Sequence, residues 1–210
     1  MCEAPADACE HPANIPTHGG NRASELISEF SHRIPAIRSL CIVLKLFLWE
    51  QGLNRPYSGG IASVTLMCMI IAYLRQPFVD SSSEADLGSL LLNFLDFFGN
   101  RFCYSTTGIS MHAGFFARPP GDQAALFVDD PLRPGADIWK GAQPKFVAPS
   151  NVAASSFNIS SVAVAFSHAH TRLLKKLHST RNGEGATSVL SELLNLEQYT
   201  AAVATPATSE

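Results

Sequence analysis

The sequence predicts a mainly α domain with a small β element. Between residues 21 and 99, apolar side chains recur at three- and four-residue spacing in four separate stretches, the period of helices that bury one face. After Gly99 that period stops, and short aromatic runs broken by glycine and serine take its place, the pattern of brief strands. A helical pattern then returns at 162–178, beyond a proline-rich stretch.

The first helix is expected over 21–33, where Leu26, Ile27 and Phe30 form one stripe. Pro35 separates it from a second, because its ring removes a backbone donor. That second helix carries Ile37, Leu40, Cys41, Leu44, Phe47 and Leu48 and stops at Gly52. Residues 54–60, Asn-Arg-Pro-Tyr-Ser-Gly-Gly, read as a turn. A third helix over 61–75 is apolar nearly all round, which places it at the centre of the domain. A fourth covers 85–99. Phe102–Tyr104 and Ile109–Ala117 predict two short strands, and Leu126–Val128 predicts a third or an extended approach to Asp129-Asp130. The fifth helix, 162–178, is expected to be capped by Ser160 or Ser161, and a short sixth is expected over 187–196. The expected organisation is an N-terminal disordered arm (1–20), one helical domain (21–180) with an insertion-like loop at about 139–150, and a short helix with a disordered tail (181–210).

Composition excludes several classes. With 46% hydrophobic and 16% charged residues over 210 positions, the chain can bury a sizeable core, which rules out wholesale disorder. Fifteen Lys and Arg against 18 Asp and Glu give a net charge of −3, so any nucleic-acid contact must use a local basic patch. The five cysteines (Cys2, Cys9, Cys41, Cys68, Cys103) form no C-x-x-C pair, and reduced thiols in an intracellular compartment are expected. Residues 1–20 lack the apolar segment of a signal peptide. The longest apolar run, 60–74, is shorter than the roughly 20 residues that cross a bilayer, so no membrane partner is expected.

No phosphate-binding G-x-x-x-x-G-K-[ST] loop and no G-x-S-x-G elbow is present. His168 and His170 are two positions apart on a helix and face differently, so they make a poor metal pair. Lys45 stands in the middle of an apolar helix. It either snorkels to solvent or meets an anion. The Gly59-Gly60 turn opens a helix holding Ser63, and a helix start beside a hydroxyl suits phosphate.

A series of motifs in order carries a resemblance: Leu40–Leu48 with Lys45; Gly52-Leu53-Asn54; Ser58-Gly59-Gly60-Ile61-Ala62-Ser63; Asp86–Gly99; and Asp129–Gly135, followed by 151–166. Together they resemble the central and PAP-associated region of the template-independent nuclear (TRAMP-type) poly(A) RNA polymerases of the DNA polymerase β-like nucleotidyltransferase superfamily. The likeness covers about residues 22–174. It implies a helical domain that closes a nucleotide cleft against a palm. The palm's three carboxylates hold two Mg²⁺ for attack of an RNA 3′ end on ATP.

By the same likeness Lys45 corresponds to the lysine that neutralises the triphosphate and Ser63 to a hydroxyl on the phosphates. Asp130 falls in the nucleotide-recognition loop. The implied partners are RNA, ATP, a zinc-knuckle RNA-binding protein and a helicase, and the implied place is the nucleus; Lys175-Lys176 alone is too short a basic cluster to direct it there. The palm's paired aspartates are not found in residues 1–20, so no catalytic or metal-ligating residue is expected in this sequence. Gly19-Gly20 stands where the family has Asn-Gly, Val64 where an aromatic residue stacks on the base, and Ala136 where an Asn is expected. A family arginine falls on Ala154 or, in a second alignment, on Lys140. Two functional readings follow: part of an enzyme that adds adenylates to RNA 3′ ends, or a non-catalytic RNA- or protein-binding relative.

Overall fold

A computed structural model describes residues 19–79, 86–118, 121–132, 150–181 and 189–195. Of the expected arm over 1–20, residues 1–18 lie outside these residues, as do most of the insertion-like loop and the tail from 196; Gly19 and Gly20 already belong to the first helix. Among the described residues the α-helices are α1 (Gly19–Arg33), α2 (Ala36–Glu50), α3 (Ser63–Leu74), α4 (Leu87–Asp96) and α5 (Ile159–Arg181). The antiparallel pair β1 (Thr107–Ser110) and β2 (Gly114–Ala117) runs in register from Thr107↔Ala117 to Ser110↔Gly114. The mainly α architecture with a small β element is the one expected.

The apolar third helix is the centre of the core, with Leu66 and Cys68 through Leu74 buried. Helix α2 lays Ile37, Leu40, Leu44, Phe47 and Leu48 into the same core. Phe166 of α5 joins the layers. Its ring stacks on Phe47 of α2 at 6.1 Å and meets Phe94 of α4 edge-on at 5.8 Å. Removing such apolar surface from water is the main stabilising term.

Helix ends follow from local chemistry. Gly52 adopts φ +68, its N–H donates to Trp49 O (3.0 Å) and that of Leu53 to Leu48 O (2.8 Å). This pair of hydrogen bonds with a left-handed glycine closes α2. Asp86 caps α4, accepting the N–H groups of Gly88 and Ser89 at 3.1 Å each. Those bonds and the Ser89 hydroxyl hold its carboxyl below the usual carboxylate range, the hydroxyl most strongly.

Three expectations are corrected. The fourth helix does not run regularly to Gly99; Phe97–Arg101 widen into a π turn, with Phe102 N–H bonded to Phe97 O at 2.8 Å. There Gly99 lies against the backbone of α5: a Cβ on it would sit 2.6 Å from Ser167 N. Phe102–Tyr104 is not a strand. Tyr104 turns inward and donates its hydroxyl to Phe98 O (2.7 Å), and the strands begin at Thr107. Helix α5 begins three residues early, at Ile159, so Ser160 and Ser161 lie in its first turn rather than capping it. Asn158 precedes the helix, accepting Ser161 N–H on its carbonyl (3.1 Å) and the Ser161 hydroxyl on its side chain (2.6 Å).

Two arginines fasten the β element. Arg75, at the end of α3, donates to Met111 O and to His112 O (2.9 Å), which fixes the turn between the strands. Arg118, almost fully buried, pairs with Asp122 and donates to Tyr104 O (2.7 Å) and Ala124 O (2.6 Å). A buried guanidinium is tolerated because its donors are used in this way.

Candidate nucleotide-binding site

The Gly59-Gly60 turn is a rigid element, not a loose phosphate cradle. Its amides are consumed internally: Gly59 N–H donates to Pro56 O (3.0 Å) and Gly60 N–H to Arg55 O (2.9 Å). The segment before α5 locks it from the other side. Asn158 N–H donates to Gly59 O (3.0 Å), and the buried Ser156 hydroxyl to Gly60 O (3.1 Å). Gly59 is left-handed at φ +81 with the Phe157 ring against it. The donors that stay open belong instead to the first turn of α3, which starts at Ser63 after an extended Ala62 without a side-chain cap. Ser63 and its neighbour Val64 are both exposed.

Asp129 and Asp130 arrive on an extended segment rather than a full third strand. Ile109 N–H donates to Phe127 O (3.0 Å) and Asp129 N–H to Ile109 O (2.8 Å), and among the described residues the segment forms isolated bridges, Ile109↔Val128 and Asp129↔Asn151. The two acids diverge. Asp129 turns inward, 2% exposed, and accepts the Ser110 hydroxyl at 3.3 Å. Asp130 is half-buried; its N–H donates to Ser150 O (3.0 Å) and its Oδ1 accepts Leu132 N–H (2.9 Å). Burial first, then Asp130 and Asp129, push the Cys68 thiol on α3 up to about 12. Val152 N–H donates to Val128 O (3.0 Å), the residue before the acid pair. Thr65 on the first turn of α3 reaches Val152 O at 3.5 Å. Ser63 and the Asp130 segment thus share the N-terminal half of one helix.

Lys45 is exposed, on an outer stripe of α2 with Arg38, Ile42 and Trp49. It has no ion pair among the described residues, and its charge acts on the Cys41 thiol, which burial nevertheless raises. The bond from Ile61 N–H to Leu53 O (2.8 Å) ties the end of α2 to the start of α3, so Lys45 and Ser63 stand on adjoining elements. No three His, Cys, Asp or Glu side chains converge among the described residues, and no metal-dependent step is assigned to them. His168 and His170 separate as their spacing requires: His168 is exposed, and His170 Nδ1 lies 3.8 Å from Asp96.

Sequence reasoning gave Asn151 no role, yet it holds the segment before Asp129 together. Its Nδ2 donates to Leu126 O (2.8 Å), while Oδ1 accepts Val128 N–H (3.0 Å) and Ala153 N–H (2.9 Å). Its only signal is a polar residue opening an apolar run just after Pro149-Ser150.

Residues 86–133, from the cap of α4 to the Asp130 turn, match the PAP-associated family, described as Cid1 family poly A polymerase. The chain is 25% identical to the polymerase core of TRAMP, an RNA surveillance complex, with a TM-score of 0.65 over 82% of this chain and 55% of that one. The chain carries the PAP-associated domain of Trf4-like poly(A) RNA polymerases. The chain is 31% identical over 134 residues to the poly(A) RNA polymerase CID14 of Cryptococcus neoformans, covering 59% of this chain and 18% of that protein. It is 30% identical over 174 residues to the inactive non-canonical poly(A) RNA polymerase protein Trf4-2 of Drosophila melanogaster, covering 76% and 39%. A more distant chain shares the PAP-associated fold: the Cid1 poly(U) polymerase solved with Mg and 3′-dATP, at 16% identity and a TM-score of 0.55 over 73% and 56% of the two chains. The chain spans 18%, 20% and 24% of the length of the first curated relatives it matches. No helix among the described residues is long and apolar enough to cross a membrane.

Proposed function

We propose that this chain is the nucleotide-cleft part of a poly(A) RNA polymerase that extends RNA 3′ ends with ATP in nuclear RNA surveillance, within a complex of the TRAMP kind. The organisation proposed with it is one helical domain over 21–180. The observation that carries the reading is the gathering of Ser63, the uncapped start of α3 and the Asp130 segment along the N-terminal half of one helix, with Lys45, which has no ion pair among the described residues, on the adjoining helix. In this reading the Lys45 ammonium and the α3 start take the triphosphate, since both favour anions. The Ser63 hydroxyl donates to a phosphate oxygen, and the Asp130 carboxylate accepts from a base edge. Proton transfer, metal ions and the attacking hydroxyl are left to a palm.

Titrating the chain with ATP and UTP tests this. Lys45→Ala is expected to weaken both nucleotides about tenfold or more, because an ammonium–phosphate contact is charge-assisted and indifferent to the base. Equal affinity of wild type and variant would remove Lys45 from the site.

A second reading, a non-catalytic relative, is favoured by Val64. The aliphatic side chain stands exposed beside Ser63, where the resemblance calls for a ring to stack on the base. Val64→Tyr is then expected to raise ATP affinity roughly tenfold, the order of one base–aromatic contact. Isothermal titration of the two proteins reads the difference directly. No gain would show that the base does not lie over this position.

A further inference from the structure

Two aromatic side chains stand out in solvent on either side of the Gly59 turn. Tyr57 is fully exposed and Phe157 is 64% exposed. Their backbones are held firmly. Tyr57 sits in a short 3-10 turn, Pro56–Ser58, closed by Ser58 N–H to Arg55 O (3.1 Å) and by the Ser58 hydroxyl to the same oxygen (3.1 Å). The Phe157 ring lies on Gly59, and the next residue donates to Gly59 O. Neither ring has an aromatic partner among the described residues.

The surroundings favour a nucleic acid over an apolar protein face. Residues 51–64 contain a single charged side chain, the exposed Arg55, which has no ion pair among the described residues. Residues 150–167 contain no charged side chain at all, and Ser58, Ser155 and Ser160 of the two segments are exposed. Isolated rings among hydroxyls and amides, with a guanidinium and no carboxylate in either segment, match what unpaired bases and phosphates require. Each base offers a π-face to an exposed ring, and hydroxyls and arginine meet the backbone and the 2′-hydroxyls.

We infer that Tyr57, Phe157 and Arg55 form a stacking platform for single-stranded RNA beside the nucleotide cleft. The platform rests on the cleft reading for its substrate class, because it adjoins the turn that leads into Ser63. It does not use Lys45, Ser63 or Asp130.

The test is fluorescence anisotropy of the full chain with labelled, unstructured A15 and U15 RNA, and with an RNA duplex of equal length. Tyr57→Ala and Phe157→Ala are each expected to weaken both single strands about five- to 100-fold. Tyr57→Phe and Phe157→Tyr, which keep the rings and the packing on Gly59, should bind as wild type. Arg55→Gln should make the slope of log affinity against log salt shallower by about 0.7, the loss of one phosphate contact. Binding to both alanine variants within twofold of wild type, no RNA binding by wild type, or equal affinity for the duplex would each overturn the platform. So would a self-association of the wild type that Tyr57→Ala abolishes without RNA, which would make the rings a protein-docking surface. ATP titration of Tyr57→Ala separates the two readings. Unchanged ATP binding with lost RNA binding supports a distinct platform; weakened ATP binding would merge the rings with the cleft and overturn it.

Discussion

Gly60→Ala is expected to lower stability by about 3 to 4 kcal/mol, visible as a drop in the urea midpoint without a change in slope. The reason is space, not backbone angle. A Cβ on Gly60 would sit 2.2 Å from the Leu53 carbonyl oxygen, 2.6 Å from its carbon and 2.9 Å from Arg55 N. All three are backbone atoms, so no side-chain rotation can relieve the contact. The chain must separate Leu53 from Gly60, and doing so breaks the Ile61 N–H to Leu53 O bond that joins α2 to α3. The Ser156 hydroxyl then loses the Gly60 carbonyl as well, a costly loss because Ser156 is buried. Gly88→Ala is the control. Its added Cβ meets nothing nearer than Asp86 Oδ1 at 3.4 Å, and α4 gains a better helix former, so no loss is expected. Nucleotide affinity of any folded Gly60→Ala should fall too, since the turn sets where α3 begins. A variant as stable as wild type would mean that the chain does not pass this close to Leu53.

The sequence made some of these features legible and hid others, for physical reasons. Periodic apolar residues report burial, so α2 and α3 emerged near their true ends, and Gly52 marked the end of α2 because a left-handed position there favours glycine. The motif Ser58–Ser63 was readable as a turn into a helix. That its amides are internally spent was not, because the locking groups, Ser156 and Asn158, lie almost a hundred positions away. The same limit hid Asn151, whose bonds reach back to Leu126 and Val128. Asp129 and Asp130 are identical in sequence terms. Only the approach of Ser110 and the turn at Leu132 separate a buried structural acid from a half-buried one. The π turn escaped because a helix pattern records which residues are apolar, and not the close approach of the Gly99 backbone to α5 that accompanies the widening.

That π turn sits inside the aromatic cluster on which the second large effect depends. Phe98 is fully buried, with ring centroids of Phe94 at 4.7 Å, Phe97 at 5.1 Å, Phe102 at 5.2 Å, Tyr73 at 6.2 Å and Phe115 at 6.3 Å. It therefore joins α3, α4 and β2 through one side chain, and its carbonyl accepts the Tyr104 hydroxyl (2.7 Å). Phe98→Ala removes the ring and leaves a cavity that five neighbouring aromatics cannot close at once, since each is also packed on another. The expected cost is about 3 to 5 kcal/mol, a large share of what holds a domain of this size together. Phe98→Leu keeps most of the volume and should cost clearly less, because the remaining gap is small. The two variants also discriminate between a core effect and a loss of the turn. If the π geometry depended on the Phe98 ring itself, Phe98→Leu would match Phe98→Ala in thermal melts. If the backbone contact of Gly99 with Ser167 sets the turn, Phe98→Leu stays near wild type while Gly99→Ala, whose Cβ would lie 2.6 Å from Ser167 N, falls with Phe98→Ala.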